Sequence, residues 1–181
     1  MVYVHLADGF EEIEALTIID LLRRAEIEME TVSITGRLPV LGSHGVKVIA
    51  DILFEDAVYS SCDLIVLPGG LPGAENLAAH NGLGEKILSF NNQGKGLAAI
   101  CAAPLVFGRA GILKGKKATC YPGFEEELKG AEIMTDDVVR DQEIITSRGP
   151  ATAMAFALAI IESIKGKEAA DEIASGLLYK Y

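Results

Sequence analysis

Tryptophan is absent from this sequence, and aromatic residues make up only 6% of its 181 residues. Cysteine occurs three times, at widely spaced positions and without a Cys-x-x-Cys pair. These cysteines therefore indicate neither a disulfide framework nor a zinc site. Basic residues are also scarce, with 16 against 26 acidic ones, which gives a net charge of −10. This charge argues against nucleic acid or an anionic membrane as the main partner.

Long apolar runs are lacking as well. The longest apolar stretch, at 151–161, includes Thr152 and is too short to span a bilayer. The opening segment MVYVHLADGFEE has neither the basic region nor the long apolar run of a signal peptide. We therefore expect no membrane span and a cytoplasmic location, where thiols remain reduced.

Short apolar runs alternate with helical periodicity along the chain, without a repeat or a linker-like segment, so 1–181 is predicted to form a single domain. Strands are predicted at 2–7, 30–34, 46–50, 64–67, 97–100, around Thr119 and at 144–146, and helices at 10–25, 83–91, from about Ala103, at 150–165 and at 167–177. This alternation predicts an α/β fold with a mostly parallel central sheet covered on both faces. Such sheets bind ligands at the carboxyl ends of their strands.

Cys101 lies where a predicted strand gives way to a helix, in the segment GLAAICAAP. The alanines around it suit a sharp turn of the nucleophile-elbow type, although the usual glycines are missing. A helix N-terminus can lower a thiol pKa from about 8.5 to below about 6, which predicts a thiolate here. A buried structural cysteine is the alternative, because free cysteine packs like a small apolar residue.

Three glutamates lie at the start of the first predicted helix, and Glu14 is placed differently from the other two. Glu11 fits a capping box with Asp8, and Glu12 is predicted on the polar side of the helix. Glu14 shares a stripe with apolar residues, so its carboxyl group is expected to be buried with a raised pKa. Such an acid can donate a hydrogen bond to a thiolate and transfer protons. A first-turn glutamate favoured by the helix dipole is the alternative.

Two glycines, Gly69 and Gly70, end the strand LIVLPGG and allow the backbone to approach a ligand closely. Their amides are candidates for an oxyanion site, with a plain tight turn as the alternative. The segment lacks the first glycine of a dinucleotide-binding fingerprint, so we do not expect nucleotide binding.

The three histidines do not pair with Cys101 by spacing. His5 is predicted to pack in the core, His80 to be solvated, and His44 lies in a glycine-flanked turn. No cluster has the sequence spacing of metal ligands, so no metal is expected. Ile13 and Leu16 form a second apolar stripe on the first helix, which predicts a homodimer, with contact inside the chain as the alternative.

Four segments occur in order along the chain: GFEEIEA at 9–15, VLPGG at 66–70, AAICAAP at 98–104 and TSRGP at 146–150. Together they resemble the DJ-one/ThiJ/PfpI superfamily, in particular the branch that contains the Parkinsonism-associated deglycase. The resemblance implies a flavodoxin-like three-layer sandwich and a homodimer. It places the family's reactive cysteine on Cys101, its protonated glutamate on Glu14, and its oxyanion donors on Gly70 and Ala102.

Two departures from the family pattern concern the expected pocket. Where some relatives have a histidine near the cysteine, this sequence has Ala102 and Tyr121, which argues against peptidase activity. Where relatives carry an arginine that approaches the partner subunit's site, this sequence has His44. Gly69, His44 and Tyr121 are therefore expected to line the pocket.

The resemblance implies an enzyme that needs no cofactor and acts on small aldehydes or dicarbonyls, converting methylglyoxal to lactate, or repairing glycated groups by the same chemistry. Cys101 would attack the aldehyde and Glu14 would transfer protons. A redox sensor or stress chaperone without turnover is the alternative, and an amidohydrolase or peptidase a weaker one.

Overall fold

The computed structural model describes residues 1–180, in which strands and helices alternate along the chain. The strands are β1 (Val2–Leu6), β2 (Met29–Ser33), β3 (Pro39–Leu41), β4 (Lys47–Ile49), β5 (Ile52–Leu53), β6 (Leu64–Leu67), β7 (Gly96–Ile100), β8 (Lys117–Ala118), β9 (Glu132–Ile133), β10 (Val138–Asp141) and β11 (Ile144–Ser147). The helices are α1 (Glu12–Arg24), α2 (Gly73–Ala79), α3 (Asn81–Gln93), α4 (Pro104–Arg109), α5 (Ala153–Lys165) and α6 (Lys167–Gly176).

Seven strands form the central sheet in the order β10-β11-β7-β6-β1-β2-β5. All neighbouring pairs are parallel except β10 with β11. Helices α1, α5 and α6 pack together on one face, and α2, α3 and α4 on the other. The strands β2-β1-β6-β7-β11 follow the 2-1-3-4-5 order of flavodoxin-like sheets. The prediction of a three-layer α/β sandwich with a mostly parallel sheet is confirmed.

The apolar runs are strands because both faces of the sheet are covered. All four residues of β6 are buried, as expected for a central parallel strand without polar alternation. Strands β7, β6 and β1 are neighbours, so their carboxyl ends lie side by side. The segments that follow them, which carry Cys101, Gly69 and Asp8, therefore meet at one edge of the sheet, as the sequence predicts.

Several elements differ from the sequence-based prediction. Helix α2 was not predicted, because its first residues follow a run of glycine and proline. Helix α1 begins at Glu12, two residues later than predicted, because Gly9 has a positive φ of 88° and Phe10 bridges to Gly42.

His5 is fully buried as predicted. His80 is half-buried, because its ring packs on Phe54 and its Nδ1 accepts a hydrogen bond from the Leu83 amide at 3.0 Å.

Membrane-spanning character is not found in these helices. Within residues 1–180, none of them combines the length and the apolar character needed to cross a bilayer. The apolar stretch noted in the sequence forms α5, of 13 residues, which packs against α1, α6 and the sheet.

Helix α4 packs closely against a neighbouring turn at Gly108. A Cβ atom at Gly108 would lie 2.0 Å from the carbonyl oxygen of Glu127, which is part of a 3₁₀ turn at Glu125–Glu127. Gly84, inside α3, has open space around its Cα, with nothing within 4 Å of the position that a methyl group would take. The two glycines therefore differ in whether a methyl group can be accommodated.

We predict opposite effects of alanine at these two positions. Gly108→Ala should lower the free energy of unfolding by about 1–3 kcal/mol, because backbone must move to relieve the overlap. Gly84→Ala should raise it by up to about 1 kcal/mol, because alanine favours a helix interior. Urea unfolding followed by circular dichroism measures both, and a stable Gly108→Ala protein would show that the close packing described for α4 is wrong.

Candidate active site

Cys101 occupies a strained turn directly after β7. Its φ is 65°, in the left-handed region that a residue with a side chain rarely adopts. Two backbone hydrogen bonds fix it: its amide donates to the Ser147 carbonyl at 2.9 Å, and its carbonyl accepts from the Tyr121 amide at 2.8 Å. Helix α4 begins at Pro104, three residues later. The predicted strand-to-helix elbow is confirmed.

Glu14 lies on the buried side of α1, facing this turn. Its side chain is completely inaccessible to solvent. Oε2 accepts a hydrogen bond from the Gly69 amide at 2.8 Å, whereas Oε1 is buried with no hydrogen-bond partner within residues 1–180. The prediction of a buried carboxyl group at this position is confirmed. An acid group with one unoccupied oxygen is therefore available for a reacting group.

Gly69 lies against both Glu14 and Cys101, whose side chains form a hydrogen bond. A Cβ atom at Gly69 would lie 2.6 Å from the Cβ of Cys101 and 2.7 Å from Oε2 of Glu14. Both functional groups therefore approach the same backbone atom, and any side chain there would displace one of them. Two residues that lie 87 positions apart in the sequence are brought together by the adjacency of β1, β6 and β7.

Burial controls the protonation of both groups. It raises the pKa of Glu14 to about 7, and the hydrogen bond from Gly69 only partly opposes this. Burial, followed by the negative charge of Glu14, raises the pKa of the Cys101 thiol to about 12. Between these two values the pair holds one proton, whose position is a property of the pair.

Burial and the negative charge of Glu14 raise the pKa of the thiol, which is opposite to the lowered pKa that the sequence predicts from a helix N-terminus. Helix α4 has only six residues and begins three residues beyond Cys101, so its dipole is weak at the sulfur. Desolvation is the larger effect. Glu14, which is hydrogen-bonded to the thiol, is the neighbouring group that can accept its proton.

Two backbone amides face the sulfur. Hydrogen bonding by the amides of Gly70 and Ala102 lowers the pKa of Cys101, opposing the effect of burial. Gly70 has a φ of 91°, and a Cβ atom there would lie 2.5 Å from the Gly9 carbonyl oxygen. Only glycine fits this conformation, which directs the amide toward the sulfur. The two residues predicted as oxyanion donors thus lie where a developing negative charge would form.

Cys101 and Tyr121, whose backbones are joined by a hydrogen bond, differ in exposure. Cys101 retains 8% of its surface accessible, so the residue is not sealed from solvent, and Tyr121 is 46% exposed. Ser147 was not predicted as a site residue. Its contribution is a carbonyl oxygen, which gives no signal in a sequence.

His44 does not reach Cys101 within its own chain. Its Nδ1 lies 2.8 Å from Oε2 of Glu12, and its amide donates to Oε1 at 2.7 Å. Ser43 Oγ and the Val46 amide also donate to this carboxylate. Burial of Glu12 would raise its pKa, but these hydrogen bonds, led by His44, lower it to about 2. The placement of Glu12 on the polar side is therefore wrong, because the 43–46 turn folds over it.

The helix cap also differs from the predicted capping box. Glu11, not Asp8, caps α1, with Oε2 accepting a hydrogen bond from the Glu14 amide at 2.8 Å. Asp8 instead accepts from the Leu41 amide and pairs with Arg37. The cap directly precedes the first turn of α1, so it fixes where Glu14 projects.

One cluster of possible metal ligands escaped the sequence analysis. Ligand atoms of Glu11, Glu12 and His44 lie within 4.8 Å of one another, although His44 is more than 30 residues away in the sequence. Both carboxylates already accept hydrogen bonds from the chain, and we propose no metal there.

These features define a class of protein: a flavodoxin-like α/β domain with a cysteine on a nucleophile elbow, beside a buried carboxyl group. Comparison with known families gives the same result. The model of the DJ-1/PfpI family matches residues 1–163. The chain belongs to the DJ-1/PfpI family.

The chain is similar to several members of this family. It is 41% identical to Protein DJ-1 homolog B of Arabidopsis thaliana over 181 residues, covering 99% of this chain and 41% of that protein. It spans less than half the length of the two Arabidopsis relatives. The solved structure of oxidized Toxoplasma gondii DJ-1 has 41% identity and a TM-score of 0.95, covering 99% of this chain and 98% of that one.

A third relative has a name that states an activity. The glutathione-independent glyoxalase DJR-1.2 of Caenorhabditis elegans is 32% identical over 160 residues, covering 87% of this chain and 84% of that protein. The superfamily therefore includes glyoxalase-type enzymes.

The raised pKa of Glu14 predicts a specific dependence of stability on pH. The folded protein keeps this proton up to about pH 7, whereas the unfolded carboxyl group loses it near pH 4.5. Stability should therefore fall as pH rises between these values, by up to about 3 kcal/mol. Urea unfolding at pH 5 and pH 8 should show this fall, and Glu14→Gln should reduce it. If the free energy of unfolding fell equally in the wild type and in Glu14→Gln, the raised pKa assigned to Glu14 would be contradicted.

Proposed function

We propose that this protein is a cofactor-independent cysteine enzyme of stress defence that converts reactive 2-oxoaldehydes, such as methylglyoxal, to 2-hydroxy acids such as lactate. The observation that carries the proposal is the convergence on Cys101 of a buried acid and two backbone amides at an opening to solvent. A nucleophile, a proton carrier and an oxyanion site are the groups that addition to an aldehyde requires.

In the first step, Cys101 attacks the aldehyde carbon of the substrate. The carboxylate of Glu14 takes the thiol proton as the carbon–sulfur bond forms, so a free thiolate need not accumulate at neutral pH. The electron pair of the carbonyl bond moves to its oxygen, where the amides of Gly70 and Ala102 donate hydrogen bonds. Glu14 then passes the proton to that oxygen, which gives a hemithioacetal and restores its carboxylate.

In the second step, Glu14 moves a proton between the two substrate carbons. As carboxylate, Glu14 removes the hydrogen from the former aldehyde carbon as a proton and passes it to the ketone oxygen, which gives an enediol. It then takes the hydroxyl proton of the sulfur-bearing carbon and delivers a proton to the adjacent carbon. The product is a thioester of the hydroxy acid on Cys101. Water hydrolyses the thioester, which releases the acid and restores the thiol.

This sequence of steps needs no redox cofactor. The aldehyde carbon is oxidised and the neighbouring ketone carbon is reduced within the same substrate, so electrons balance without an external partner. The chemistry matches the name of the C. elegans relative, a glutathione-independent glyoxalase, which supports the proposal for this chain.

A redox-responsive protein without turnover is the second candidate. The unpartnered Oε1 of buried Glu14 favours it, because a neutral carboxyl group there can donate a hydrogen bond to an oxygen added to the sulfur. A peptidase is disfavoured, since the three histidines are engaged elsewhere: His5 with Tyr59, His44 with Glu12, and His80 with the Leu83 amide.

We also propose that the protein is a homodimer. Ile13 and Leu16 on α1 are 58% and 40% exposed, and Leu41, Val46 and Ile49 of the β3–β4 hairpin are also exposed. Hydrogen bonds from the 43–46 turn to Glu12 hold the hairpin beside the start of α1. A continuous apolar surface of this kind fits a second copy of the chain better than water.

Turnover should depend on both members of the Cys101–Glu14 pair. Cys101→Ser and Glu14→Gln should each reduce lactate formation from methylglyoxal by at least about 100-fold, because nucleophile and proton carrier are lost. Cys62→Ala is the matched control, since Cys62 is buried and hydrogen-bonded to the Leu64 carbonyl. Wild-type turnover should increase as pH rises through about 7, where Glu14 becomes a base.

A wild-type rate no higher than that of Cys101→Ser would overturn the enzyme proposal. Peroxide treatment with peptide mass spectrometry then tests the second candidate. Oxidation confined to Cys101 would support it, and oxidation of Cys62 or Cys120 in preference would exclude it.

Assembly should depend on the apolar surface of α1. Light scattering during size-exclusion chromatography should give about twice the chain mass of 19.2 kDa. Leu16→Glu should shift the protein toward the monomer, because two carboxylates would be buried across a two-fold axis. Leu88→Glu, at a residue of α3 with 44% exposure, is the control and should leave the mass unchanged. A wild-type mass of 19.2 kDa would reject the homodimer.

A further inference from the structure

Two exposed residues with largely apolar side chains lie next to backbone atoms of the site, and the mechanism does not use them. Leu71 directly follows Gly70, the donor of one oxyanion amide, and is 51% exposed. Tyr121 is 46% exposed and donates its amide hydrogen to the Cys101 carbonyl. Each residue is thus tied through the backbone to an atom of the site, on a different loop.

The ring of Tyr121 has a defined position on the β11 side of the site. Its edge packs over Gly149, where a Cβ atom would lie 3.1 Å from Cδ2 of the ring. Gly149 follows two residues after Ser147, whose carbonyl accepts the amide hydrogen of Cys101. Leu71 lies on the β6 side, because it extends the loop that follows Leu67. Because β7 lies between β6 and β11 in the sheet, the two residues lie on opposite sides of the strand end that carries Cys101.

The charge around the acid disfavours an anionic substituent. Glu14 is fully buried, and the negative charge of Glu11 further raises its pKa. A substrate carboxylate held next to Glu11 and Glu14 would add a third acidic group in poorly solvated surroundings. Leu71 and Tyr121, in contrast, offer apolar contact on both sides of the strand end that carries Cys101.

We propose that the substrates are uncharged 2-oxoaldehydes with a bulky apolar substituent, such as an aryl group, which packs between Leu71 and Tyr121. This proposal rests on the proposed function, and it makes these two residues the specificity determinants of the site. They contact the substituent and not the reacting carbons.

The first experiment measures kcat/KM for phenylglyoxal and for methylglyoxal. The ratio of the two values does not depend on the fraction of active enzyme in each preparation. The double variant Leu71→Ser/Tyr121→Ser should lower this ratio by about tenfold, because the aryl group loses its apolar contacts. Tyr121→Phe keeps the ring and should retain the wild-type ratio. Leu88→Ser removes an exposed leucine far from the site and is the control.

The second experiment does not require turnover. Cys101 is alkylated with phenacyl bromide or bromoacetone, each reaction forming a carbon–sulfur bond and releasing bromide and a proton. Rates from intact-protein mass spectrometry are divided by the rates with glutathione. The corrected preference for phenacyl bromide should be about tenfold in the wild type and lost in the double variant. Iodoacetate should react more slowly than iodoacetamide after the same correction.

The outcomes separate the two proposals. Turnover with an unchanged substrate ratio in the double variant would overturn the specificity assignment and leave the proposed function standing. If the wild type shows no turnover but is alkylated preferentially by phenacyl bromide, and the double variant lacks this preference, the proposed function would be overturned. The assignment of Leu71 and Tyr121 as the binding residues would then be supported. Equal corrected alkylation rates for the two bromides would overturn the specificity assignment whatever the turnover.

Discussion

Desolvation of one carboxyl group determines the chemistry available at this site. Glu14 lies on the inner face of α1 with no contact to solvent, and the Gly69 amide donates a hydrogen bond to one of its two oxygens. A carboxylate in such surroundings is less stable than the neutral acid, so its pKa rises toward neutrality. Other residues at this edge of the sheet hold the carboxyl group in place. Gly69 leaves space for it, and Glu11 caps the helical turn from which Glu14 projects.

The same desolvation makes the cysteine depend on its neighbour. Burial, followed by the negative charge of Glu14, raises the pKa of the Cys101 thiol, so the thiol holds its proton more tightly than free cysteine does. The two groups therefore titrate as a pair, and in the proposed reaction one proton would pass between the carboxyl group and the sulfur.

Much of the fold was predictable because parallel strands with both faces covered are continuous apolar runs. The sequence LIVL is such a run, and β6 begins and ends at its residues. Glu14 was also predictable, since an acid on an apolar helical stripe is conspicuous. Helix α2 was missed because glycine and proline precede it, and the short strands of the edges are too brief to show a period.

Other features of the site could not be predicted because they depend on contacts between distant segments. Glu12 is buried only because the 43–46 turn closes over it, more than 30 residues away. The raised thiol pKa depends on how deeply Cys101 is packed, whereas the sequence shows only that a helix follows. Sequence patterns indicate which residues share a face, but the depth of burial comes from the assembled layers.

The left-handed backbone of Cys101 has an evolutionary consequence. A side chain in this conformation costs roughly 1–3 kcal/mol, which glycine would largely avoid. A chain optimised for thermal resistance alone would therefore carry glycine at this position. Screens for stabilising substitutions are expected to select changes at this turn that remove its chemistry. A thermostabilised variant of this protein should therefore be checked first for the presence of Cys101.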